Sequence, residues 1–132
     1  MFSIKNDRDN INFEVKEHWN ESLEEYCFRV YGEFSFLKFD KNVYIHACKL
    51  VEFYKKLSDC YAILRGDCSI PSFSYEDDFS VSIKFDGKGG VLVSVKMKDN
   101  DQLGNHCTIE FFTDQTYIAY TLKEMKKTIE NS

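Results

Sequence analysis

The sequence predicts an α+β fold, a single domain (residues 1–132) built mainly of antiparallel β-sheet with two principal α-helices, at about 46–58 and 114–130, packed on it. Two observations lead there. Apolar residues alternate with polar ones in several runs separated by turn-forming residues, and in two windows the period changes to three and four. A length of 132 residues with 43% hydrophobic content, 12 Phe and 8 Tyr but one Pro supports a sizeable aromatic core and argues against disorder.

Taken in order, Phe2 and Ile4 alternate with polar residues, "NDRDN" has turn chemistry, and Ile11, Phe13 and Val15 alternate again, which predicts a β-hairpin. In "EYCFRVYGEFSFLKF", Tyr26, Phe28, Val30, Gly32 and Phe34 share one side and Cys27, Arg29, Tyr31 and Glu33 the other. This reads as one long strand, or two joined near Gly32. Ala47, Leu50, Val51, Tyr54 and Leu57 then form an apolar helical stripe, with Lys49, Glu52, Lys55 and Lys56 away from it. "CYAIL" (60–64) is expected to be a strand, and "RGDCSIPSFSYEDD" a loop or a broken edge strand, because Pro71 cannot donate to a ladder.

The clearest local signal is "FSVSIKFDGKGGVLVSVKM". Phe79, Val81, Ile83 and Phe85 alternate, Asp86 to Gly90 supply a turn, and Val91, Val93, Val95 and Met97 alternate back. A further strand follows, with Cys107, Ile109 and Phe111 on one side. Thr113 or Asp114 can then cap a helix whose apolar stripe is Ile118, Leu122, Met125 and Ile129. The order of strands and then a helix occurs twice, without a residue-level repeat.

Chemistry-bearing motifs are sparse. Five cysteines (27, 48, 60, 68 and 107) lack paired spacing, so reduced thiols are expected rather than a disulfide framework or a zinc site. His46 or His106, each near a cysteine, would be the residues of a small enzyme, but adjacency in sequence does not position a base. No phosphate-binding, dinucleotide or hydrolase pattern is present, and "DGKGG" lies in a hairpin. Neither a cofactor nor a metal is expected. Arg65-Gly66-Asp67 matches an adhesion tripeptide by coincidence, since no export signal accompanies it.

The formal charge of −5 disfavours nucleic acid, no apolar run approaches a membrane span, and a cytoplasmic protein is expected. Acidic residues cluster between Glu14 and Glu25, between Asp67 and Asp78, and at Asp99 and Asp101. Convergence of two such segments would steer a basic protein partner. Glu21, Glu24, Glu25, Glu76, Asp77, Asp78, Asp99 and Asp101 are the candidate contacts.

The ordered segments "VYGEFSF", "LVEFYKKL", "FSVSIKFDGKGGVLVSVKM" and "IEFFTDQTYIAYTLKEMKKTI" resemble immunity proteins of the WapI type and related small domains, over about residues 25–130. The resemblance implies a bacterial cytoplasmic protein, not an enzyme, that binds and neutralises the C-terminal toxic domain of a cognate polymorphic toxin. In WapI-like systems that domain is often an RNA-cleaving one. The resemblance transfers no contact residue to this chain. The alternatives are the small enzyme above and a structural subunit of a larger assembly, which would expose an apolar patch.

Overall fold

The alternating runs fold into two four-stranded meanders, each followed by a helix, in a computed structural model that describes residues 1–18, 25–35, 37–71, 79–98 and 106–131. The first comprises β1 (Phe2–Lys5), β2 (Asn10–His18), β3 (Glu25–Phe34) and β4 (Leu37–His46), then α1 (Ala47–Ile63). The second comprises β5 (Arg65–Pro71), β6 (Phe79–Asp86), β7 (Gly90–Lys98) and β8 (His106–Asp114), then α2 (Gln115–Glu130). Neighbouring strands are antiparallel throughout both sheets.

Period-two alternation gives each sheet one apolar face, and both apolar faces enter a common core. Phe2, Phe13 and Phe28 cluster at centroid separations of 4.5 to 6.0 Å. Across the gap between the sheets, Phe13 meets Phe79 at 6.1 Å and Phe34 meets Phe111 at 5.7 Å. Edge-on and tilted ring geometries of this kind contribute beyond area burial alone, by about 1 kcal/mol each.

The helices cross between the two halves. α1 packs on β5 and α2 on β1, so each helix covers the first strand of the half to which it does not belong. Along β1 the cover is specific. Thr121 donates to the Ser3 carbonyl at 2.6 Å, Glu124 accepts from the Ser3 amide at 3.2 Å, and Thr113 donates to the Lys5 carbonyl at 2.7 Å. These bonds satisfy backbone groups that an edge strand would otherwise leave open to pairing with another chain.

Both hairpins and the strand preceding α2 agree with the sequence reading, and two expectations need correction. The run from Glu25 to Phe39 is not continuous: β3 passes straight through Gly32, ends at Phe34, and the chain reverses at Ser35 (φ 47°) into β4. Gly32 is required there because Phe39 and the Asn10 carbonyl occupy the space a side chain would need.

The first helix extends beyond 58 to Ile63, and "CYAIL" is its last turn and cap rather than a strand. A short apolar run has no period of its own, and Cys60 continues the buried stripe of Leu50, Phe53 and Leu57. The helix stops where Leu64 adopts a left-handed conformation (φ 57°) and bonds its N–H to the Cys60 carbonyl, so the usual glycine stop signal is missing. The described strands divide between two sheets.

Asp114 is the cap of α2, accepting from the amides of Thr116 and Tyr117 at 2.9 and 3.2 Å. Ile118 and Met125 are buried as expected. Thr121 and Thr128 are buried beside them, whereas Leu122 and Ile129 are only partly covered.

Candidate functional site

Of the eight acidic residues expected to contact a partner, Glu25 is described: it opens β3, half-buried, in register with His46 of β4. Glu21, Glu24, Glu76, Asp77, Asp78, Asp99 and Asp101 lie outside the described residues. Their distribution is nonetheless informative. All 17 Lys and Arg belong to the described residues, as do fifteen of the 22 Asp and Glu. The framework is thus slightly basic, and the acidic balance of the chain comes from seven carboxylates in three connections that contain no base.

The strands flanking those connections are arranged consistently. In the first sheet, His18 and Glu25 sit at the end away from the β1–β2 and β3–β4 turns. In the second, Pro71, Phe79, Lys98 and His106 sit at the end away from the β6–β7 turn. The turn-bearing ends of the two sheets are held together where Thr113 donates to the Lys5 carbonyl and Asn6 Nδ2 to the Phe112 carbonyl, both at 2.7 Å.

The outer face of the first sheet carries a built polar network. Cross-strand register sets Glu14 beside Arg29 and Arg29 beside Asn42, with Tyr31 beside Asp40 in the next row of that face. The Arg29 guanidinium bonds Asp40 through Nη2 at 2.7 Å and Nε at 3.1 Å, approaches Glu14 at 3.6 Å, and lies 4.5 Å from the Tyr31 ring centroid. Hydrogen bonding to Arg29 holds the Asp40 carboxyl below its ordinary range, and the same pairing raises Arg29 further. Ser3, Asn12 and Asn10 continue the network through side-chain bonds of 2.7 and 2.8 Å. Asn10, Arg29, Tyr31, Glu33, Lys38 and Asp40 border an open cleft of about 370 Å³.

Sequence alternation put Arg29 and Tyr31 on the face opposite the core, but their partners come from other strands and depend on register. An isolated sequence signal for Asp40 as the partner of Arg29 does not exist.

The histidines and cysteines are dispersed. His46 precedes α1 and His106 opens β8, in different sheets. Cys48 and Cys107 are exposed, while Cys60 and Cys68 are buried side by side, where desolvation raises Cys60 and pushes Cys68 up to about 12. A raised thiol is a poor nucleophile at neutral pH. Among the described residues no three His, Cys, Asp or Glu side chains are grouped as a metal site requires. No described helix is long and apolar enough to cross a membrane. The arrangement offers a hydrogen-bonding surface with an exposed aromatic component, indented by one open cleft.

Among known proteins, the family model described as the immunity protein WapI-like family matches residues 4–131. No curated protein and no solved structure matches the chain.

Proposed function

Because the chain belongs to the WapI-like immunity protein family, we propose that it binds and neutralises the C-terminal toxic domain of a cognate bacterial polymorphic toxin in the cytoplasm, without catalysing a reaction. The observation that carries this reading is the family match over nearly the whole chain. The charge distribution supports a basic toxin partner, since the carboxylates beyond those of the balanced framework are concentrated in three base-free connections.

In this reading Glu21, Glu24, Glu25, Glu76, Asp77, Asp78, Asp99 and Asp101 accelerate encounter and contact the toxin's basic surface. A nuclease is the toxin class that fits an acidic inhibitor best, because a phosphate-binding surface is itself basic.

The test is co-expression with the toxic domain encoded immediately upstream of the gene. Growth should be restored and a complex recovered. Replacing the eight acids by Asn or Gln should lower the association rate by about tenfold or more at low salt, with a smaller difference at high salt. Failure of the wild-type chain to bind or rescue would remove the immunity reading for that pair. An unchanged association rate in the neutralised variant would remove the electrostatic part of it.

A further inference from the structure

We propose that this chain pairs with a second copy of itself by exchanging halves about Leu64, so that residues 1–63 of one copy close on residues 65–132 of the other. The partner that fits the open core face of each half is then the complementary half of another copy. This holds whether or not the immunity reading does, and two observations carry it.

The first is that neither half closes its own core. Each meander has one apolar face, and each is covered by the other: Phe13 of β2 meets Phe79 of β6, and Phe34 of β3 meets Phe111 of β8. The helices cross in the same sense, α1 onto β5 and α2 onto β1. The backbone of β1 is also completed from the second half, by Thr121, Glu124 and Thr113. All these contacts join residues on opposite sides of Leu64. They do not require both sides to belong to one chain, so a second copy supplies them with the same geometry.

The second is the joint itself. One residue, Leu64, separates the end of α1 at Ile63 from the start of β5 at Arg65. Its φ of 57° is left-handed, a conformation that crowds the Cβ of any residue but glycine. Gly66 follows at φ 99°, and a side chain there would meet Cys60 Sγ at 3.0 Å, so the reversal is tight. Opening the joint lets α1 continue through Leu64. The bond from the Leu64 N–H to the Cys60 carbonyl is kept, since it already has helical spacing. Short joints under strain invite exchange between copies.

The balance between the two forms follows. Core contacts are the same in the closed chain and in the exchanged pair, so their stabilisation cancels. What remains is the strain of two joints per pair against the entropy of joining two chains. Closure through a short connection has an effective concentration on the order of millimolar, so the monomer prevails at micromolar concentration and the pair gains toward millimolar.

The experiment refolds the full chain from guanidinium chloride at micromolar and at near-millimolar concentration and measures its mass by sedimentation velocity. A dimer should appear only at the higher concentration. Its halves part only by unfolding, so after dilution it should dissociate far more slowly than a weak surface pair, which separates within about a second. Leu64→Gly removes the crowding and should lower the association constant by about tenfold or more, because two joints act in each pair. Leu64→Ile keeps the volume, adds a branch at Cβ that the left-handed conformation disfavours, and should raise the constant by a similar factor. In dimers refolded from an equal mixture of isotope-labelled and unlabelled chains, filtered contacts between the Phe13 and Phe79 rings should run between chains. Wild-type and Leu64→Ile chains that both stay monomeric at near-millimolar concentration would overturn the exchange. So would a dimer whose share ignores residue 64, or one whose Phe13–Phe79 contacts stay within a chain. The co-expression test of toxin binding is decided separately from all of these outcomes.

Discussion

The Thr121 hydroxyl of α2 donates to the backbone carbonyl of Ser3 at 2.6 Å, joining residues 118 positions apart. Thr121 is buried, with 1% of its surface exposed, in a stripe it shares with Ile118, Met125 and Thr128. Its polar atom is tolerated there because an outward-facing acceptor of β1 meets it. Thr121→Val keeps the shape and removes the donor, leaving that buried carbonyl short of a partner. The expected cost is about 1–3 kcal/mol in equilibrium denaturation, with Thr121→Ser much milder.

Asp114 makes a second prediction. Its carboxylate accepts from two amides in the first turn of α2, and no acidic residue in that turn supplements it. Asp114→Ala should destabilise the protein by about 1 kcal/mol, and Asp114→Asn by a few tenths, as read from urea midpoints at unchanged slope.

Gly32 tests the packing of β4 over β3. A Cβ there would lie 2.5 Å from the Phe39 ring and 2.7 Å from the Asn10 carbonyl oxygen, and the second of these belongs to backbone that cannot swing aside. Gly32→Ala should therefore cost about 1–3 kcal/mol despite sitting at an allowed strand conformation. A variant as stable as the wild type would show that β2 and β4 shift freely relative to β3.

The thiols predict both reactivity and pH dependence. Cys48 and Cys107 should be alkylated rapidly in the native protein, and Cys60 and Cys68 only on unfolding. The folded-state value for Cys68 is raised from 9.0 to about 12 by burial, so folding favours the protonated thiol. Its contribution to stability is complete below about pH 9 and declines as pH rises toward 12, because the unfolded chain ionises first. Melting temperatures should fall across that window, and Cys68→Ala should flatten the fall. Equal labelling rates for all four cysteines would contradict the burial of this pair.

Much of the architecture was legible from periodicity because alternation and turn chemistry are local. The Phe79–Met97 hairpin, the Phe2–Val15 hairpin and the Asp114 cap each follow from a few neighbouring residues. The end of α1 was not legible, since "CYAIL" carries no period and Leu64 takes the left-handed position without being glycine. At the candidate surface, alternation identified Arg29 and Tyr31 as facing away from the core. Pairing of Arg29 with Glu14 and Asp40 required the register of three strands.

By itself, the sequence determined which faces are apolar, where two hairpins turn, where the second helix begins, and that acidic residues cluster in three stretches. Those properties follow from side-chain chemistry over short spans. Only the tertiary structure decided that the strands divide into two sheets and that each helix covers the first strand of the other half. It also decided that buried threonines complete β1, because Thr121 acquires its role only when chain reversal brings Ser3 within 2.6 Å.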